Sequence, residues 1–188
     1  AGVQLVQDVR PWEQMKLRML NGSHSFLAYL GYLAGFAHIS DCMQDEVFRR
    51  AARQLMLGEQ APTLKITGVD LNAYADNLIA RFSNPALKHR TWQIAMDGSQ
   101  KLPQRMLDSV RWHRVHGHPF DLLALGVAGW MRYVGGVDEQ GNAIEVSDPL
   151  LAVIQNAVAS SAEGDARVNA LLGIEAIFGT ELPKDETF

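Results

Sequence analysis

The chain has 188 residues, of which 47% are hydrophobic, 20% charged and 8% aromatic, and this length and composition predict one globular domain over residues 1–188. A formal charge of -4 and a pI near 5.8 argue against a nucleic-acid partner and against a basic membrane-binding surface. Without an apolar run of ~18 residues, and with one cysteine, Cys42, the chain is expected to be soluble, cytoplasmic and free of internal disulfides.

The fold class predicted from periodicity is mainly α-helical. The alternating residues from Val3 to Val9 predict one short N-terminal strand. From Pro11 onward, apolar residues recur at helical spacing, and capping residues and prolines divide the chain into about eight helices. Predicted helices begin near Pro11, Ser40 or Asp41, Asp70, Asn84, Pro103, Pro119, Pro149 and Asp165. Three of them are expected to end near Gly58, Gly98 and Gly135, and residues 138–147 are expected to form a polar loop or a short hairpin.

The first predicted helix is apolar on nearly every side, which is typical of a buried helix, yet it carries Lys16, Asn21 and His24. Buried polar groups require partners or a wet cleft. On an α-helix these residues and Glu13 share one side, but Lys16 and His24 are roughly 12 Å apart along the axis. Either a long substrate lies along the helix or Gly22 bends it. The structural alternative is a lysine that extends to the surface, a turn asparagine and a core histidine.

Two motifs resemble those of a known family. The spacing K-x-x-x-x-N-x-x-H from Lys16 to His24, with Glu13 ahead of it, and the segment Asp97-Gly-Ser-Gln-Lys101-Leu-Pro103-Gln-Arg105 resemble the polyol-specific long-chain dehydrogenases. This family includes mannitol dehydrogenase and fructuronate (mannonate) reductase. The resemblance covers essentially all 188 residues, but only the second half of a full-length enzyme. It implies that the chain is a catalytic and substrate-binding domain.

The resemblance also implies roles for individual residues. Lys16 is expected to be the general acid/base, giving a proton to the carbonyl oxygen in reduction and removing the hydroxyl proton in oxidation. Asn21 is expected to donate an amide hydrogen bond to the oxygen where negative charge develops. His24 is expected to position a substrate hydroxyl or the lysine, and Glu13 to relay the proton to solvent. Glu13 is equally well explained as a solvated acidic residue in the first turn of the helix.

The cofactor is expected to bind outside this chain. The sequence contains neither a G-x-G-x-x-G after a strand nor a G-x-x-x-x-G-K-[ST], and it shows no βαβ alternation. The resemblance implies that NAD sits on a Rossmann domain that precedes Ala1, with the substrate held between the two domains. The chain alone is therefore expected to be inactive.

The second motif bears on the substrate. A hexuronate carboxylate needs a positive partner, for which Lys101, Arg105 and Arg90 are candidates, although each alone is also typical of a surface charge. Eight residues before the motif lysine, mannitol-type members have an arginine, whereas this chain has Gln93. This difference favours a sugar acid of the fructuronate/mannonate type over mannitol or another neutral polyol, which remains the alternative within the family.

Three histidines, His113, His116 and His118, suggest a zinc site, which would require their side chains to converge within ~4 Å. Their spacing is not the i, i+4 spacing of H-E-x-x-H, and no further acidic or cysteine ligand lies nearby. We therefore expect no metal and a polar interhelical loop instead.

Trp92, Trp112 and Trp130 are expected to be core or boundary aromatics rather than sugar-stacking platforms. A rival hypothesis from another class is a non-enzymatic helical interaction module. The enzyme hypothesis predicts that the catalytic residues and Lys101 open into one cleft, whereas the module hypothesis predicts that they are scattered.

Overall fold

A computed structural model of the chain describes residues 6–185 and 188. In this part the chain is helical, as predicted, and its β-structure is limited to two isolated bridges, one between His38 and Arg90 and one between Val137 and Ala143. The second bridge lies in the segment where a polar loop or hairpin was predicted. None of the described helices combines the length and the apolar character needed to cross a membrane.

The α-helices are α1 (Arg10–Met15), α2 (Ser23–Leu33), α3 (Ile39–Cys42), α4 (Glu46–Gln54), α5 (Leu71–Phe82), α6 (Thr91–Ala95), α7 (Gly98–Leu102), α8 (Asp108–His116), α9 (Asp121–Tyr133), α10 (Leu151–Ala159), α11 (Asp165–Leu172) and α12 (Glu175–Phe178). Three π-helical segments are π1 (Lys16–Gly22), π2 (Leu55–Gln60) and π3 (Pro103–Leu107). Short 3-10 turns span Ala61–Thr63, Pro85–Leu87 and Leu182–Lys184.

The π-helical segments join α-helices into longer rods. α1, π1 and α2 follow one another without a break, as do α4 and π2, and α7, π3 and α8. Two predicted boundaries were therefore wrong. Gly58 lies inside π2, and Pro103 lies within a helix that begins five residues earlier, at Gly98. Proline lacks the N–H of an ordinary α-helical turn, and here the helix widens into a π turn at the proline instead of ending.

The single helix predicted from Asn84 to Gly98 was also wrong. Asn84 caps only a 3-10 turn, accepting a hydrogen bond from the amide of Ala86 at 3.0 Å. The left-handed conformations of Lys88 and Asp97 then interrupt the chain, with φ of 47° and 57°. Only α6 forms between these two breaks.

The core is built around α2, which packs against α6 and α9. Its side chains Phe26, Leu27 and Tyr29 are fully buried, as is Trp130 of α9. Burial of each such side chain contributes on the order of 1.5–3 kcal/mol. The prediction that the helix from Pro11 is buried on nearly all sides holds for α2, whereas Glu13, Gln14 and Lys16 in its first turns are exposed. The exposed turns therefore continue directly into a buried helix.

The predicted N-terminal strand cannot be followed over its whole length. Val3 and Leu5 lie outside the described residues, and Val6 to Val9 precede α1 without regular secondary structure.

Candidate active site

Lys16 and Asn21 are the first and sixth residues of π1, and His24 lies in the first turn of α2. A π-helix closes i→i+5 hydrogen bonds, so residue 21 lies one turn above residue 16. An ordinary α-helix would place the same two residues about 140° apart around the axis, so the side that they were expected to share is formed by the π turn rather than by α geometry. From Asn21 to His24 the spacing is i, i+3, which again joins neighbours on one face. The backbone thus aligns all three residues in one row.

Lys16 and Asn21 are available to an incoming group. The Lys16 side chain is exposed, and it makes no hydrogen bond or ion pair with any residue that the structure describes. Asn21 is half-buried, and its backbone carbonyl accepts a hydrogen bond from Arg105. Its side-chain amide therefore remains free within the described part of the chain.

The His24 ring has aromatic and cationic neighbours. Its ring stacks on Phe82 with a centroid distance of 4.9 Å and meets the edge of His89 at 5.0 Å. Its Nε2 is buried, and no atom of the described residues is within hydrogen-bonding reach of it. Burial lowers the pKa of His24 to about 3, and basic neighbours act in the same direction: His89, Arg105, Arg81 and Lys101. His24 is therefore a neutral imidazole at neutral pH, with one ring nitrogen unpartnered.

The second motif brings its two cations to the same place. Lys101 Nζ donates to the carbonyl of Ile94 at 3.2 Å and lies 3.8 Å from a carboxylate oxygen of Asp97. Burial, and then the charge of Arg105, lower the pKa of Lys101. Arg105 Nη1 donates to Ser25 Oγ at 3.0 Å, and burial lowers its pKa as well. Its Nε is buried without a partner among the described residues.

The Asp97-Gly-Ser turn fixes the position of Lys101. The amide of Asp97 donates to the carbonyl of Ser147 at 3.0 Å, and the amide of Ser99 donates to the Asp148 carboxylate at 2.8 Å. At Gly98 a Cβ atom would lie 2.3 Å from the indole nitrogen of Trp130. The turn therefore lies directly on the aromatic core and requires glycine at that position.

Three predicted substrate residues form no hydrogen bond or ion pair with His24, Lys101 or Arg105 in the described part of the chain. Glu13 is exposed and lines a shallow surface cleft together with Gln104. Arg90 is exposed and forms a backbone bridge with His38. Gln93 is exposed on α6, and its side chain makes no hydrogen bond with the described residues. Their roles, and the single cleft expected for the catalytic residues, stay predictions.

Sequence reasoning missed the residues that surround the His24 ring. Phe82 ends α5, and His89 follows the left-handed Lys88, so both reach His24 through tertiary packing. The basic run Lys88-His89-Arg90 is a weak signal that could have pointed to them.

The three histidines around α8 do not converge. His113 is buried and donates through Nε2 to the carbonyl of Glu59 at 2.6 Å, so it is a core residue and the expectation that it lies in a polar loop was wrong. His116 ends α8 and stacks on Trp112 with a centroid distance of 3.9 Å, and exposed His118 follows in the loop. Within residues 6–185 and 188, no group of three or more His, Cys, Asp or Glu side chains is arranged to hold a metal ion.

Comparison with known proteins adds to this geometry. The family described as mannitol dehydrogenase C-terminal domain matches residues 8–188. Over all 188 residues the chain is 76% identical to the uncharacterized oxidoreductase YdfI of Escherichia coli, and it spans 39% of that protein. It is 62% identical to D-mannonate oxidoreductase of the same organism and spans 38% of it.

A solved structure agrees in fold. Mannitol 2-dehydrogenase of Pseudomonas fluorescens, in a ternary complex with NAD and D-mannitol, superposes with a TM-score of 0.88 at 37% identity. The match covers 97% of this chain and 37% of that one. The chain thus spans well under half the length of the relatives that it matches.

Proposed function

Because the chain belongs to the mannitol dehydrogenase family, as its C-terminal domain, we propose that it forms the substrate half of an NAD-dependent oxidoreductase. The proposed reaction interconverts a keto sugar acid and the corresponding hydroxy acid, of the fructuronate/mannonate type. We further propose that the rest of the enzyme includes a Rossmann domain preceding this chain, which carries the cofactor. The greater length of the relatives supports this arrangement.

The observation that carries the proposal is the unpartnered Nε2 of His24 beside the two cations of the second motif. Burying a ring nitrogen without a hydrogen-bond partner destabilises the protein, unless a bound ligand supplies that partner. A substrate hydroxyl would do so. Lys101 and Arg105 add two positive charges to the same place, and the carboxylate that pairs with Lys101, that of Asp97, lies as far as 3.8 Å away. Such a site is suited to a substrate that carries a carboxylate.

The preference for a sugar acid has independent support. Identity to D-mannonate oxidoreductase is 62%, against 37% to the mannitol 2-dehydrogenase of Pseudomonas fluorescens. Gln93, where mannitol-type members have an arginine, agrees with this difference.

The residues of this chain are suited to proton transfer and substrate binding rather than to binding of the nucleotide. They offer no glycine-rich turn after a strand, whereas the free groups on π1 and α2 point to a small polar ligand. When bound, NAD supplies or accepts the hydride.

The proposed steps then follow for each residue of the chain. Lys16 gives its proton to the carbonyl oxygen, and Asn21 donates an amide hydrogen bond to that oxygen, a contact worth about 2.7–4 kcal/mol in comparable sites. His24, held neutral, binds a neighbouring hydroxyl. Lys101 and Arg105 face the carboxylate.

The test is NADH oxidation by the full-length enzyme with fructuronate, tagaturonate and fructose. Lys16→Ala is expected to lower kcat by roughly 10²- to 10⁴-fold while NADH binding persists. The matched control is Lys65→Ala, which removes another exposed lysine and is expected to leave kcat unchanged.

Three other outcomes would overturn parts of the proposal. Unchanged turnover in Lys16→Ala would remove Lys16 from the mechanism, and faster reduction of fructose than of either acid would favour the neutral-polyol alternative. If the wild type reduces none of the three compounds, the proposed fructuronate/mannonate type is wrong, and another sugar acid or the helical interaction module becomes the better hypothesis.

A further inference from the structure

The three π-helical segments meet at one point beside the proposed catalytic residues. π1 packs against both π2 and π3, and Gly22, at the end of π1, is the residue in contact. A Cβ at Gly22 would lie 2.7 Å from the carbonyl oxygen of Arg105 in π3 and 2.8 Å from Nε2 of Gln60 in π2. The backbones of π1 and π3 therefore approach one another as closely as glycine permits, with the side chain of Gln60 from π2 beside them.

The alignment of Lys16 with Asn21 depends on π geometry, since an α-helical turn would rotate Asn21 away from Lys16. A π turn is rare and persists where surrounding contacts hold it. Those contacts must act at the end of π1, where the helix returns to α geometry at Ser23.

Gln60 is the centre of these contacts. It is fully buried, and both ends of its amide are used. Nε2 donates to the Arg105 carbonyl at 2.9 Å, and Oε1 accepts from Ser109 Oγ at 2.6 Å. Because the opposite orientation would place Oε1 against a carbonyl oxygen, the amide has one satisfactory orientation. Gln60 thus ties π2, π3 and α8 together.

Arg105 links Gln60 to the row formed by Lys16, Asn21 and His24. Its backbone carbonyl is held by Gln60, and its Nη1 donates to the Asn21 carbonyl at 3.4 Å and to Ser25 Oγ at 3.0 Å. These two acceptors lie on either side of the junction between π1 and α2.

We propose that Gln60 is a positioning residue: through Arg105 it holds the end of π1 in π geometry, and so keeps Asn21 in line with Lys16. This inference rests on the proposed function. It adds a buried residue, 44 positions from Lys16 along the chain, to the set on which the reaction depends.

The first test compares Gln60→Met, which keeps the length of the side chain but removes both hydrogen bonds, with the wild-type full-length enzyme. We expect kcat to fall roughly 10- to 100-fold, because small displacements of reacting groups have effects of this size. The affinity for NADH is expected to stay within about threefold, since Gln60 lies on the proposed substrate side. KM for the keto acid is expected to rise, because Gln60 holds the backbone of Arg105, but by less than kcat falls. Ser109→Ala, which frees one end of the amide, should give an intermediate loss of kcat.

Thr91→Val is the matched control. Thr91 is buried, and its hydroxyl donates to the Phe36 carbonyl at 2.9 Å, away from the π-helical segments. The variant also loses a buried hydrogen bond and is expected to lower stability without changing kcat. If Gln60→Met and Ser109→Ala keep the wild-type kcat, or lose it no more than Thr91→Val does, Gln60 has no positioning role.

Hydrogen exchange on this chain provides a readout besides activity. The amides of residues 16–25 are expected to exchange faster in Gln60→Met and Ser109→Ala than in the wild type and in Thr91→Val. Unchanged exchange there would overturn the inference. Because this measurement needs no substrate, a wild-type enzyme that reduces none of the compounds would count against the proposed function while exchange still decides the role of Gln60.

Discussion

At the scale of single residues, His24 shows how the fold selects a protonation state. Its ring is held between Phe82 and His89, and burial is the main reason that its pKa falls to about 3. A neutral imidazole can hydrogen-bond a hydroxyl but cannot serve as a cationic acid near neutral pH. Proton transfer in the proposed mechanism is therefore left to Lys16.

This depressed pKa predicts acid sensitivity. An unfolded histidine titrates near 6.5, so between pH 6.5 and 3 the unfolded chain binds a proton that the folded chain excludes. The free energy of unfolding should therefore fall as pH falls through this window, by at most about 1.4 kcal/mol per pH unit from His24.

The measurement is urea unfolding of the wild type and of His24→Gln at several pH values between 6.5 and 4. The variant is expected to be less acid-sensitive, and the difference between the two curves isolates His24 from the other titrating groups. Parallel curves would show that the imidazole is protonated in the folded state.

The alignment of Lys16, Asn21 and His24 could be anticipated because the three residues lie close together in sequence, whereas their surroundings could not be predicted. Lys16, Asn21 and His24 form one local motif, and Lys101 lies in another. The partners Phe82 and His89 reach His24 through the packing of α5 and the loop before α6, which no local spacing encodes. His113 was misplaced for the same reason, since its partner is a carbonyl 54 residues away.

At the scale of elements, the caps were predictable and the π turns were not. Asp70 caps α5 as expected, accepting from the amides of Asn72 and Ala73. Pro103, by contrast, favours a helix start from local preference alone, yet it lies inside a continuous helix. The spacing of five between Lys16 and Asn21 matches one π turn, but this spacing alone does not predict a π-helix.

A long-range cap also escapes local analysis. The carboxylate of Glu59 in π2 accepts hydrogen bonds from the amides of Leu122 and Leu123 at 2.9 and 2.7 Å. These amides open α9, where no residue of the helix itself can satisfy them. A negative charge there is also favoured by the helix dipole.

Glu59→Ala is therefore expected to lower the free energy of unfolding by about 1–2 kcal/mol, in the range of lost N-caps. Glu59→Gln, which keeps an acceptor but loses the charge, should have a smaller effect. Denaturant unfolding at neutral pH measures both. Glu163→Ala removes an exposed acid that pairs with Arg167 and should change the value by less than about 0.5 kcal/mol; equal effects at the two positions would exclude capping by Glu59.

At the scale of the whole molecule, the all-helical class was predictable from the recurrence of apolar residues at helical spacing. The central place of α2 was also predictable, since a helix that is apolar on nearly all sides must be enclosed. The assembly of π1, π2 and π3 around Gly22 was not, because it joins segments more than 30 residues apart.

Charge is unevenly distributed over the molecule, and the last prediction follows from this. The chain carries a formal charge of -4, yet Lys101, Arg105 and Arg81 gather near His24. If they attract a carboxylate, added salt should weaken its binding, because the Debye length falls from about 30 Å at 0.01 M to about 3 Å at 1 M salt. A neutral ketose has no charge to screen.

We therefore expect KM for fructuronate to rise by roughly threefold or more between low and high salt at saturating NADH, while KM for fructose changes little. Lys101→Met should raise KM for the acid at low salt and flatten its salt dependence, since one of the attracting charges is gone. Lys65→Met, at an exposed position on another segment, should keep the wild-type slope. Equal salt dependence for acid and ketose would mean that the cations near His24 stabilise the fold rather than select the substrate.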